Sequence, residues 1–261
     1  MTATACGGDD SSSDLATKDP KAAMAAASNR TAEAKTVRLA LSATSSTGLK
    51  VLSGTGSYDF VAERGRFKLQ TSLGAGADMV ITAKEVFLKN PRKTADGPSW
   101  IRLTEADLAT QAAGSAQFID SIRKQVDPRT TLDALGANVP DLKKVGEQTL
   151  RGTKTTHLRG RVDLSDKAIA AAAPDQQEGL RSAQKAFGVG GYPVDVWLDG
   201  DGRVRRVQYD ITSGDGAAKA TTTVKLDLYG FGEAPAIELP AAADVGDAAT
   251  LLTTTTTAAG K

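Results

Sequence analysis

The chain has 261 residues, enough for one large β-rich core with tails, and its 32 basic residues nearly cancel its 31 acidic ones. A net charge of +1 supplies no field to recruit nucleic acid, which disfavours a nucleic-acid binder. One cysteine and one histidine build neither a Cys/His zinc site nor an intrachain disulfide and leave a single imidazole for catalysis, so no metal, no cofactor and no enzyme activity are expected.

The cysteine is Cys6, preceded by Ala3, Thr4 and Ala5 and followed by Gly7, Gly8, Asp9, Asp10 and Ser11 to Ser13. Small residues before a cysteine and a polar run after it are the arrangement of a bacterial lipobox, whose cysteine becomes the acylated first residue of the mature protein. Ala3 stands where leucine is usual, and the charged and apolar parts of a signal peptide are expected upstream, with Met1 a late start. Acyl chains on Cys6 would hold the protein at the extracytoplasmic face of a cell membrane, with residues 7 to 18 as a tether.

Asp19-Pro20 predicts a capped, Ala-rich helix to about Ala34. The period then changes to two. Val37, Leu39 and Leu41 predict one strand, Gly54, Gly56, Tyr58 and Phe60 a second, and Phe67 and Leu69 a third. Met79 and Ile81, Val86 to Leu88, and Trp100 to Leu103 supply three more, so an antiparallel meander with one apolar face is expected. Leu108, Ala112, Ser115, Ile119, Ile122 and Val126 line one face of a helix over about 107–126. Asp127-Pro128 opens a short helix through Leu132 and Leu135 that Gly136 is expected to close. Strands at Lys144 to Thr149 and Lys154 to Leu164 follow, then a helical pair broken by Pro174 and ended at Gly188. Strands around Val194 to Leu198, Val207 to Ile211 and Thr222 to Leu228 complete the pattern. This order predicts an α+β fold: a large curved antiparallel sheet, a half-barrel, whose helices cover its concave face around a hydrophobic cavity.

The stretch from Asp127-Pro128 through Leu150-Arg151-Gly152 and Thr156-His157-Leu158-Arg159-Gly160-Arg161-Val162-Asp163-Leu164, then Pro193-Val194-Asp195-Val196-Trp197-Leu198-Asp199-Gly200-Asp201-Gly202, resembles the LppX/LprAFG lipoproteins of actinobacteria. The closing Tyr229-Gly230-Phe231-Gly232 and Leu239-Pro240 are similar to the end of that domain. The resemblance implies a LolA-like half-barrel that holds an acylated lipid or glycolipid and helps move it across the envelope. It divides the chain into a lipobox and tether over 1–18, a lipid-binding domain over 19–245, and a Thr/Ala-rich tail over 246–261. An envelope sensor or protein-interaction module on the same fold is the alternative reading.

Alternation and helical phase nominate Leu39, Leu41, Tyr58, Phe60, Phe67, Leu69, Leu108, Ile119, Ile122, Phe187, Val194, Val196, Val224 and Leu226 as cavity-lining residues. Small residues such as Gly54 and Gly56 are expected to leave room for chains. His157 lies on the polar phase of its strand without a partner that local sequence identifies. Asp199-Gly200-Asp201-Gly202 begins like a calcium loop, but Arg203 and Asp210 occupy positions where ligands are required, so a hairpin turn is expected. Arg203, Arg205, Arg206, Lys154, Arg159 and Arg161 form either a basic patch for an anionic head group or, as expected, solvated strand faces. If Cys6 is the anchor, the protein produced from its upstream start in an actinobacterial host will sediment with membranes, and Cys6→Ala will move it to the soluble fraction.

Overall fold

A capped helix begins where Asp19 meets Pro20. Asp19 Oδ1 accepts the Ala22 amide at 2.9 Å and proline fills the first helical turn, so α1 (Pro20–Ala32) starts where the cap-and-proline pattern places it. Ala23, Met24, Ala27, Ser28 and Thr31, spaced by one to four residues, form its buried side. The computed structural model describes residues 16–72, 74, 76–90, 97–104, 127–139, 141–213, 219–234 and 236–247.

Six strands follow: β1 (Thr36–Ser45), β2 (Lys50–Asp59), β3 (Arg64–Thr71), β4 (Gly76–Ile81), β5 (Glu85–Lys89) and β6 (Trp100–Thr104). After α2 (Pro128–Asn138) come β7 (Lys143–Leu150), β8 (Thr153–Asp163), α3 (Asp166–Ala171), α4 (Pro174–Phe187), β9 (Gly191–Asp199), β10 (Val204–Ser213) and β11 (Ala220–Tyr229). A 3-10 turn, Ala242–Asp244, leads into β12 (Val245–Asp247). The strand order is β12-β6-β5-β4-β3-β2-β1-β11-β10-β9-β8-β7, an open twelve-stranded sheet in which β1 to β6 pair antiparallel in succession, as do β7 to β10, and β12 lies parallel to β6. The expected α+β class is therefore observed, with two meanders in chain order. By compactness the chain divides into a helical unit of Met1–Glu33 with Leu132–Lys225, and a meander unit of Ala34–Thr131 with Leu226–Lys261.

In the helical unit, Leu158, Val162, Val194, Val196, Leu198, Val204 and Val207 are buried, and the register puts Leu158, Val196 and Val207 side by side on one face. Helix α1 packs on β7 and β10, and Thr31 Oγ1 accepts the buried Val204 amide at 3.1 Å. Gly136 does not close α2 as expected. The helix continues to Asn138, and a Cβ at Gly136 would meet the Met24 carbonyl at 3.4 Å, an ordinary van der Waals contact. Gly160 on β8 is where a close approach requires glycine, because its absent Cβ would stand 2.3 Å from Val139 Cγ1.

In the meander unit the alternation predicted from sequence is realised in register. Leu39, Gly56, Phe67, Met79, Leu88 and Ile101 stand opposite one another across β1 to β6, as do Val37, Tyr58, Gly65, Ile81, Val86 and Leu103 one step along. Both rows lie on the same face. The expectation that Gly54 and Gly56 leave room for a ligand is overturned: added Cβ atoms would stand 2.4 Å from Leu69 Cδ2 and 2.5 Å from Phe67 Cδ1. The side chains of β3 lean over β2 and fill that space themselves. On the other face, Val80, Phe87 and Ile237 form a buried cluster with Trp100 and Val245 against it, and Arg102 donates to Asp247 at 2.8 Å.

Gly56→Ala will therefore lower unfolding stability by about 1–3 kcal/mol, since its Cβ also meets the Arg66 carbonyl at 2.6 Å. Gly146→Ala, with nothing near its Cβ, will stay within about 0.5 kcal/mol in the same urea titration.

Candidate functional site

The apolar face of the meander unit is not equally closed along its length. Val37, Tyr58, Gly65, Ile81 and Val86 are buried. Leu39 and Phe67 are also buried, but Leu41, Leu52, Leu69, Met79 and Leu88 are only half-buried. Among the large side chains of β1 to β3 burial thus declines from the Val37 end toward the β1–β2 hairpin, leaving Leu41, Leu52 and Leu69 partly open to solvent while the small Ala43 opposite Leu52 stays buried. Five of the predicted residues, Leu39, Leu41, Tyr58, Phe67 and Leu69, share this face by register. Phe60 lies just past β2, its amide bonded to the Lys35 carbonyl at 2.8 Å and its ring edge-on to Tyr58 at 5.2 Å.

A polar network closes the buried end. Asp127 accepts from Arg129 Nε and Nη2, the latter at 2.8 Å, and Arg129 Nη2 also reaches Glu63 Oε1 at 3.3 Å. The same guanidinium lies over the Phe60 ring at 5.8 Å. The Tyr58 hydroxyl donates to Asp127. Burial first, and then the Asp127 charge, hold the Tyr58 phenol well above the ordinary tyrosine range, while the Asp127 carboxylate raises the Arg129 guanidinium further. Sequence showed Asp127 only as a helix cap. Its role as acceptor for a tyrosine on β2 depends on long-range placement that periodicity does not encode.

In the helical unit, Val194 and Val196 are fully buried, between Gly160 and Tyr209 and between Leu158 and Val207 respectively. Phe187, at the end of α4, meets Tyr192 edge-on at 5.8 Å, and Tyr192 lies 5.2 Å from Tyr209. Burial pushes the Tyr192 phenol up to about 12 and raises that of Tyr209 as well. Val224 and Leu226, on β11, are half-buried. Leu108, Ile119, Ile122, the helix expected over 107–126, Cys6 and the tail beyond residue 247 lie outside the described residues.

The opposite face of β8 to β10 carries a polar array that sequence reasoning missed. His157 stands opposite Trp197 and stacks on it at 4.2 Å with the rings 9° from parallel. His157 Nε2 is 2.6 Å from Asp195 Oδ1, which also accepts from Arg159 Nε at 2.8 Å, and Arg206 lies over Trp197 at 5.6 Å. Trp197 Nε1 donates to Gln148. The shared polar phase of His157, Asp195 and Trp197 was legible, but the pairing of β8 with β9 was needed to join them. The basic residues weighed as a patch, but expected on solvated strand faces, include four with acceptors of their own: Lys154 with Glu147, Arg159 with Asp195, Arg161 with the Gly191 carbonyl, and Arg203 with Asp199 and Asp201. Asp199-Gly200-Asp201-Gly202 is the β9–β10 turn as expected, with Asp199 Oδ1 accepting the amides of Asp201 and Arg203, both at 3.0 Å. Among the described residues no group of three or more potential ligands could hold a metal ion, and no helix is long and apolar enough to cross a membrane.

A family model described as LppX_LprAFG lipoprotein matches residues 19–236. Over 105 residues the chain is 30% identical to an uncharacterized 31.2 kDa protein of Streptomyces griseus from the rplA-rplJ intergenic region, a match that spans 40% of this chain and 34% of that one. Among solved structures, LprF from Mycobacterium bovis superposes with a TM-score of 0.50 at 13% identity, over 85% of this chain and 96% of that chain. The lipoprotein LppX from Mycobacterium tuberculosis gives a TM-score of 0.48 at 14% identity, over 85% and 100%. The LprF likeness is one of fold.

The raised phenols fix the sign of an alkaline effect. Below about pH 10 all three tyrosines are protonated whether the chain is folded or not; above it the unfolded chain releases protons that the folded chain keeps. Stability will be flat up to about pH 10 and then fall, by up to ~1.4 kcal/mol per pH unit for each buried phenol. Tyr58→Phe will give a shallower decline in urea titrations repeated across that range.

Proposed function

The chain belongs to the LppX_LprAFG lipoprotein family, and on that premise we propose that it is a membrane-anchored extracytoplasmic protein that holds the acyl chains of an envelope lipid or lipoglycan and carries or presents it. The observation that carries this reading is the graded apolar face of β1 to β5, where Leu41, Leu52, Leu69, Met79 and Leu88 remain partly exposed on a face otherwise built as core. A contiguous apolar surface left open in this way is stabilised by whatever covers it. An acyl chain suits it, because each buried CH₂ contributes roughly 0.8 kcal/mol, or about 10 kcal/mol for sixteen carbons before ordering costs. Such binding depends on chain length and needs no bond to be made or broken. The lipobox-like sequence around Cys6 and the balanced net charge agree with a protein held at the membrane by its own acyl group.

Native mass spectrometry of the purified chain tests the reading directly, with bound lipid as the expected result and a uniformly empty protein as the contrary one. Substitutions separate ligand surface from packed core. Leu41→Trp will weaken binding of a fluorescent fatty acid by about tenfold or more while changing the thermal midpoint little, because a half-open site accepts bulk. Val196→Trp, at a position 1% exposed, will unfold the protein at lower temperature. Equal stability losses at the two positions, without a selective binding loss at Leu41, would mean a filled core at both.

A further inference from the structure

The β1–β2 hairpin adjoins the end of the meander unit's apolar face where Leu41, Leu52 and Leu69 are half-buried. Leu49 is 57% exposed and Val51 is 40% exposed, on a turn held by Gly48 N–H to the Ser45 carbonyl and Ser45 N–H to the Leu49 carbonyl, both 2.9 Å. Gly48 takes the positive φ of +83° that the turn requires. The Ser72 amide bonds the Val51 carbonyl at 3.1 Å, tying the hairpin to the end of β3. These two side chains are therefore held outward by a hydrogen-bonded turn. Within β2, Val51 lies on the phase opposite Leu52, so the exposed pair adjoins the apolar face, on which burial of the large side chains increases inward from half-buried Leu52, Leu69 and Leu41 to buried Phe67, Leu39 and Tyr58.

The strands beside the tip are basic. From Thr36 to Tyr58 and from Arg64 to Ala77 the sequence contains Arg38, Lys50, Arg64, Arg66 and Lys68 and no acidic residue. Lys50, beside the tip, and Lys68 are exposed; Asp78 on β4 stands opposite Lys68 and 3.8 Å from Arg66, and Asp59 stands opposite Arg64. Asp59, Glu63 and Asp127 gather at the other end of β2. An apolar tip with Lys50 between its leucine and its valine matches an anionic bilayer, whose acyl region takes the two apolar side chains and whose phosphates take the ammonium group.

We propose that the Leu49–Val51 tip is the surface by which this protein touches an anionic bilayer, and that acyl chains pass there between the membrane and the apolar face. The passage, though not the contact, rests on the lipid-carrier reading. Because the tip leads into the less buried end of that face, a chain would enter tail first toward Tyr58 and leave its head group near Lys50.

The test uses the full chain with Cys6→Ser, so that no acyl anchor contributes. Flotation with vesicles of phosphatidylcholine and phosphatidylglycerol reads the contact. Uptake of the polyene fatty acid cis-parinarate, offered free in water or dissolved in the vesicles, reads the passage. L49S/V51S is expected to lower flotation and vesicle-to-protein transfer by about tenfold while affinity for the free probe stays within about twofold. Lys50→Glu should lower flotation on anionic vesicles and leave it unchanged on neutral ones. Val61→Ser, equally apolar and 73% exposed but at the β2–β3 turn, should float as the parent does. Undiminished flotation of L49S/V51S, an equal loss with Val61→Ser, or no effect of Lys50→Glu overturns the proposal, and the tip is then left for a protein partner. If the parent floats through the tip and takes up no probe from either source, the contact stands and the carrier reading, with its passage, fails.

Discussion

Everything in the meander unit depends on the parity of its strands. Side chains alternate between faces with a period of two, so a slip of one residue in any pairing would move the whole apolar set of that strand to the wrong side. Leu39, Gly56, Phe67, Met79, Leu88 and Ile101 keep their common row because every ladder from β1 to β6 is antiparallel and in step through this region. The irregularity in β1 falls between Ala43 and Thr44, beyond that row and next to the hairpin. The unit therefore locates its disturbance where the apolar face is least buried, and the rows that need strict register are free of it.

Glycine makes that register compatible with large side chains. At Gly54, Gly56 and Gly65 the missing Cβ atoms are replaced by Leu69 and Phe67, whose side chains come within 2.6 Å of where those atoms would be. Two residues of β3 thus cover parts of two strands, and the surface over β2 is made of side chains from its neighbour. The apolar face consequently offers leucine, phenylalanine and methionine without a groove running down β2. At the far end, the Tyr58–Asp127–Arg129 network supplies each buried polar group with a partner, so the face terminates without an unpaired charge.

Much of this architecture is legible in the sequence through local rules. Strand alternation places Leu39, Tyr58 and Phe67 correctly, Asp19-Pro20 caps α1, Gly188 ends α4 with a φ of +64°, and the Asp199 turn forms as read. What is not legible requires knowing which strands become neighbours. His157 and Asp195 are separated by 38 residues, and each alone is an ordinary polar strand residue; only the β8–β9 ladder makes them a pair. Gly136 carries a stop signal in sequence, yet its helix continues to Asn138 with α1 in van der Waals reach beside it. Three residues of β12 are too few for any periodicity to reveal.

That short strand has a consequence for how the molecule is made. The Arg102–Asp247 contact joins residues 145 positions apart, and Val245, Gly246 and Asp247 are what pair with the outer edge of β6. While the chain is still emerging from N- to C-terminus, all six meander strands are available long before the segment that covers their last edge. Completion of the unit therefore waits on nearly the whole described polypeptide, with a large loop-closure cost deferred to the end. Under the proposed extracytoplasmic location, such a delay would keep the sheet from being sealed before the chain has crossed the membrane. Its exposed β6 edge is also the place where interrupted synthesis would leave an unpaired strand open to aggregation.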